Sequence, residues 1–205
     1  VIALLAILEP IAVFGMIVDY IWSLRFTHPW SWAAILALIL ISHYIRRERA
    51  TTLGFGIGNF RICVRHYGPA LAIFVAGALV ASLAFGTLRP IGLRQAALAL
   101  GAYIPWGVFQ QYMLNGYFLN RLESGLSQRV STSVAAGLFA AVHTPNLVLM
   151  AITLAGGYLS AAVYRRHKNL YFLGLAHAVL GLTVFLAMPD FLIHHLYVGP
   201  GWFAH

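Results

Sequence analysis

Gly101 to Leu122 reads GAYIPWGVFQQYMLNGYFLNRL, an apolar stretch of helix length with Gln110, Gln111 and Asn115 at its centre. In a bilayer such carboxamides cost free energy unless hydrogen-bonded, so all three are expected to face other helices or a wet cavity. Gln111 and Asn115 lie four apart and share one helical face, with Gln110 beside them. Amides placed this way act either as glue between helices or as members of a site. Which of the two holds depends on what the rest of the chain brings to the same layer.

Composition sets the solvent. Of 205 residues, 61% are hydrophobic and only 9% charged, with a mean hydropathy of +0.82; a soluble domain carries roughly a quarter charged residues. The expected fold class is therefore all-α, a polytopic transmembrane helical bundle. The net charge of +8 does not point to nucleic acid, since no Lys/Arg cluster sits with stacking aromatics on a soluble module. It reads instead as orientation charge facing cytosol and anionic lipid. A single cysteine, Cys63, excludes an internal disulfide and a cysteine-based metal site. No charged region precedes the first apolar run, which argues against a secretory signal peptide.

Apolar runs bounded by Arg, Pro and Gly predict about seven spans, each near the ~20 residues a bilayer core requires or shorter where sheltered. They are Val1 to Leu24, Trp30 to Ile45, Gly68 to Gly86, Gln95 to Leu119, Thr132 to His143, Asn146 to Tyr164 and Leu170 to Met188. Thr144-Pro145-Asn146 predicts a turn or kink, because proline disfavours helix at the residue before it. Ten of the 13 Lys and Arg residues fall in the connections after the second, fourth and sixth spans; Arg25, Arg89 and Arg94 fall on the other side. The positive-inside rule then places the start of the chain in the cytosol and the C-terminal tail outside. The expected organisation is N-terminal helices and a cytosolic connection over 1–93, a core bundle over 94–188 and a tail over 189–205. Localisation is expected to be multi-pass, in a plasma membrane of bacterial type.

Phe139 to His143 reads FAAVH and Leu175 to Gly181 reads LAHAVLG, each with one histidine in an apolar helix candidate. A doubly polar helix, then FxxxH, then a helix with a buried His resembles the CPBP family of intramembrane endopeptidases, which includes CAAX prenyl proteases and bacteriocin-processing or immunity proteins. The family's usual motifs are EExxxR, FxxxH and HxxxN or HxxxD. Here the first appears as Gln110-Gln111-Tyr112-Met113-Leu114-Asn115, the second is intact at Phe139 and His143, and the third keeps His177 with Gly181 in place of Asn or Asp. The resemblance covers roughly Arg94 to Met188.

It implies a peptide or membrane-protein substrate, a lipid environment and no cofactor. It also implies a mechanism in which a first-motif glutamate and the FxxxH histidine activate water, while the third motif stabilises the oxyanion. Carried over residue by residue, Gln110 and Gln111 stand at the glutamates, Asn115 at the arginine, His143 at the water partner and His177 at the oxyanion donor. Gln cannot accept the proton that the glutamate takes. Helical rise places Gln111 about 15 Å, His177 about 13 Å and His143 up to about 21 Å from the cytosolic edge, so one layer can hold all three.

Five acidic residues are present. Glu48 and Glu123 lie among arginines and read as surface ion partners, and Asp190 follows Pro189 at the outer end of the last span. Glu9 lies in an apolar run and offers a replacement carboxylate, but Glu9-Pro10 reads more simply as a helix start, with Pro at its preferred first position. Histidines 28, 43, 66, 167, 194, 195 and 205 fall near span ends and read as interfacial. No HExxH is present, which disfavours zinc, and Gly54, Gly56 and Gly58 do not form a phosphate loop. Three functions follow: an endopeptidase with a divergent site, in which His143 itself is the base; a silent member of the fold that binds a peptide or helix, as an immunity or chaperone protein does; and a small transporter, disfavoured by the lack of repeats and paired charges.

Overall fold

The computed structural model describes residues 2–204, so Val1, the expected start of the first span, and His205 lie outside the described residues. Among those residues the chain is helical, with no named strand. We label the principal helices α1 (Ile2–Asp19), α2 (Ser31–Ile45), α3 (Phe60–Ala84), α4 (Leu93–Gln111), α5 (Gln128–Ala141), α6 (Leu147–His167) and α7 (Leu170–Ala187). Helix α1 runs on through a π-helical stretch, Tyr20–Leu24, to Thr27, and α4 through another, Tyr112–Leu119, to Glu123.

The seven predicted apolar runs thus become seven helices, but the count of seven spans is not carried by all of them. Four segments are long and apolar enough to cross a bilayer by length and composition, namely Leu4–Thr27, Phe60–Ala84, Leu147–His167 and Leu170–Ala187. Helix α2 is apolar but shorter, α5 has 14 residues, and the amides of α4 dilute its hydropathy. Two boundaries also move. Helix α3 begins at Phe60 rather than Gly68 and carries Pro69 inside; Pro10 likewise lies within α1 and does not start it. A proline removes one backbone donor and bends a helix, but packing on both sides holds the remaining bonds.

Local chemistry explains the breaks. Between α5 and α6 the side chain of Asn146 caps α6 by accepting the Leu149 N–H at 3.0 Å, and its Nδ2 donates to the Ile193 carbonyl at 2.8 Å, which ties the tail to the bundle. Asn169 caps α7 in the same way, accepting from Phe172 N–H at 2.8 Å.

Large apolar side chains such as Ile73, Phe74, Val80 and Leu83 of α3 are exposed outward, where lipid replaces water, while Leu114, Tyr117, Leu119, Leu122, Tyr164 and Leu170 form the sealed core. The most intimate packing joins α4 to α7 and α5 to α6. Gly174 permits the first: a Cβ there would lie 2.6 Å from the Cα of Val108. Small residues let helix backbones approach this closely, the main route to association where lipid is the solvent.

The two ends differ in charge as the basic pattern predicted. At one end Arg121 meets Glu48, Arg165 meets Glu123 at 2.5 Å, and Asn59 donates to the His167 carbonyl. At the other, Arg89 pairs with Asp190, and Arg25 lies beside Gly199 and Gly201.

Candidate functional site

Helices α4 and α7 pack so closely that the amides of one meet the imidazole of the other. Asn115 Nδ2 donates to Gln111 Oε1 at 2.8 Å, and the same nitrogen lies 3.3 Å from Ser160 Oγ on α6. Gln111 has then committed its oxygen, so its Nε2 turns to His177, donating to Nδ1 at 3.3 Å. An imidazole that accepts at Nδ1 carries its proton at Nε2. His177 is thereby a donor through Nε2. Gln111 and Asn115 are buried, and Asn115 is fully so.

His143 reaches the same layer from the end of α5. It is buried, and its Nδ1 lies 2.7 Å from the carbonyl oxygen of Phe139. A carbonyl only accepts, so Nδ1 bears the hydrogen and Nε2 keeps a lone pair. Phe139 stands between the two histidines, edge-on to both, with ring centroids 5.1 Å from His143 and 6.1 Å from His177. The FxxxH spacing is thus physical: one helical turn brings the Phe139 carbonyl under the imidazole, and the Phe139 ring spaces it from His177.

Gln110 does not join this chain of bonds. Its Oε1 is buried without a hydrogen-bond partner among the described residues, as is Asn115 Oδ1. In an interior where nearly every polar atom is paired, such an acceptor marks a place for a ligand or water. The structure therefore joins Gln111, Asn115 and His177 by direct bonds, sets His143 across Phe139, and leaves Gln110 unengaged.

A second polar cluster lies further along α4 toward the basic end. Arg121 is 2% exposed and donates through Nε to Glu9 at 3.1 Å and through Nη2 to Glu48 at 3.0 Å. Glu9 also accepts from Arg46 at 2.9 Å, from Tyr117 at 3.1 Å and from Ser42. His43 is buried, not interfacial, and its Nδ1–H donates to Glu48 at 2.6 Å. Burial opposes ionisation of Glu48, but hydrogen bonds from Arg121 and His43 outweigh it and hold its pKa below the usual carboxylate value. Glu48 is accordingly no free surface partner, and Glu9 is bound to Arg121 rather than to Gln111 or His177. The cluster fastens α1, α2 and the connection after it to α4. Glu123, by contrast, makes the exposed pair with Arg165 that its surroundings predicted.

Sequence reading passed over Ser160 and Tyr103, read His43 as interfacial and counted Arg121 only as orientation charge. Arg121 and Glu9 had one available signal: each is a charge on an otherwise apolar helix, and two such charges of opposite sign favour pairing.

Fold and site together define a helical membrane protein with amides and two imidazoles gathered between closely packed helices. Over residues 92–183 the chain matches the model of the type II CAAX prenyl endopeptidase Rce1-like family, a segment that contains all five predicted site residues. The matched segment, just under half of the chain, is similar to that family, in line with the resemblance to the CPBP intramembrane endopeptidases. No curated protein and no solved structure matches the chain.

Proposed function

We propose that this integral membrane protein is an intramembrane endopeptidase in which His143 replaces a carboxylate as general base. The observation that supports it is the bond from His143 Nδ1–H to the Phe139 carbonyl, which leaves the Nε2 lone pair available. A neutral imidazole accepts a proton near neutral pH, as a base requires and as Gln110 and Gln111 cannot. In this reading residues 94–188 form the catalytic unit, and the substrate is a peptide or a segment of a membrane protein.

His143 Nε2 takes a proton from water as its oxygen attacks the scissile carbonyl. The oxyanion that forms accepts from His177 Nε2–H, and collapse expels the amine, which takes its proton from the His143 imidazolium. Gln111 and Asn115 act through His177: their bonds fix which nitrogen carries its proton. Gln110, with an unengaged acceptor, orients the attacking water.

The test is cleavage of membrane-embedded peptides by the purified protein in proteoliposomes. Wild type should cut, His143→Ala should abolish cutting, and His177→Ala should lower kcat by about 10²- to 10³-fold, the usual loss for an oxyanion donor. A second reading, a silent fold that binds a helix or peptide, is favoured by the capture of Glu9 and Glu48 at Arg121, away from the imidazoles. Saturable binding of the peptides with no cleaved product would establish it instead.

A further inference from the structure

Gly181 lies one helical turn beyond His177 on α7, where the resemblance led us to expect an Asn or Asp. The space it leaves is filled. A Cβ on Gly181 would come 2.5 Å from Cε1 and 3.0 Å from the hydroxyl oxygen of Tyr103, which projects from α4 two turns before Gln111. Its ring also packs against His177, with centroids 5.9 Å apart.

The phenol is thus held over the glycine and beside the imidazole. Tyr103 is only partly buried, and among the described residues its hydroxyl makes no hydrogen bond. A tyrosine hydroxyl that is accessible and unbonded, beside a histidine that carries its proton on Nε2, is a second donor in the same place. Glycine at 181 is what admits it, because any larger residue would meet the ring.

We propose that Tyr103 is a catalytic residue, the second oxyanion donor of this site, delivered from α4. The proposal rests on the endopeptidase reading of His143 and His177. As the water oxygen bonds to the scissile carbon, the carbonyl π pair moves onto its oxygen. Tyr103 O–H and His177 N–H both donate to that oxygen, and neither transfers its proton. When the tetrahedral centre collapses the pair returns, the C–N bond breaks, and the phenol is unchanged.

The same geometry alters what a substitution at 181 does. Gly181→Asn alone inserts a side chain into the tyrosine ring, so it should impair folding rather than complete the site.

Four proteins in proteoliposomes, with membrane-embedded peptides as substrate, provide the test. Tyr103→Phe keeps the ring and removes only the donor, so its melting temperature should match wild type while kcat falls about 10²-fold at unchanged KM. Tyr103→Ala should lose at least as much, and Tyr103→Ala/Gly181→Asn, with a carboxamide now able to enter the space, should regain about tenfold or more over Tyr103→Ala. A Tyr103→Phe enzyme with wild-type kcat would overturn the proposal and leave His143 as base untouched. Wild type that neither cuts the peptides nor binds a peptidyl phosphinate mimic of the tetrahedral centre would overturn the endopeptidase reading, and the role of Tyr103 with it.

Discussion

Replacing Gln111 by Glu offers the sharpest test of the hydrogen-bond chain, because it changes one donor into an acceptor at constant shape. The bond from Asn115 at 2.8 Å survives and gains a charged acceptor. The bond to His177 at 3.3 Å does not survive as it stands, since a carboxylate oxygen would face the Nδ1 lone pair. For a neutral imidazole it is recovered by moving the proton from Nε2 to Nδ1. A hydrogen bond to a charged group is worth about 1.5–3 kcal/mol, and leaving two buried acceptors opposed costs a similar amount. The Nδ1–H form is then favoured by roughly 3 kcal/mol, a population ratio of about 10². His177 stops being a donor at Nε2, and cleavage should fall by about 10²- to 10³-fold despite the added carboxylate. Two measurements read this: ¹⁵N-histidine NMR in nanodiscs, where the protonated nitrogen of His177 should switch, and the peptide cleavage rate. Retention of the Nε2 proton in the variant, or faster cleavage, would refute the reasoning. Gln110→Glu is the contrasting case. It breaks no bond within the protein, supplies a base, and should raise the rate toward the ~10²- to 10⁴-fold typical of general bases.

Arg121→Met should destabilise the fold by about 3–5 kcal/mol in equilibrium unfolding, since it strips Glu9 and Glu48 of their shared partner; adding Glu9→Gln and Glu48→Gln should recover part of that loss. Gly174→Ala places a methyl 2.6 Å from the Val108 backbone and should cost about 1–3 kcal/mol by prising α7 from α4, seen as a lower melting temperature. Because the pKa of Glu48 is depressed in the fold, its contribution is full above the unfolded carboxylate pKa and is lost as pH falls through the folded value. Melting temperatures taken downward from pH 7 should therefore drop below about pH 4.5, and drop less steeply in Glu48→Gln. Accessibility tags at Arg47, Arg121 and Lys168 should report cytosol, and one after Trp202 the opposite side.

Hydropathy and punctuation were enough to place the seven helices, because each is specified by its own run of apolar residues and its own breakers. Spacing within a helix was equally legible: Gln111 with Asn115, and Phe139 with His143, are one turn apart whatever surrounds them. The distribution of Arg and Lys foretold which ends of the bundle gather, since it reflects orientation in a field rather than any particular contact. What the tertiary structure alone decided are relations between helices, which depend on the rotation of each about its axis and on how closely two backbones approach. Glu9 read as a helix start because the chain nearby shows only Pro10; its partners Arg46, Tyr117 and Arg121 come from other helices. His43 and Glu48 read as interfacial and surface groups for the same reason. Gly181 read as a lost side chain, yet Tyr103, distant in sequence, fills its space. The proton on His177 is the subtlest instance: it follows from Asn115 claiming the oxygen of Gln111, a choice that exists only once α4, α6 and α7 have packed.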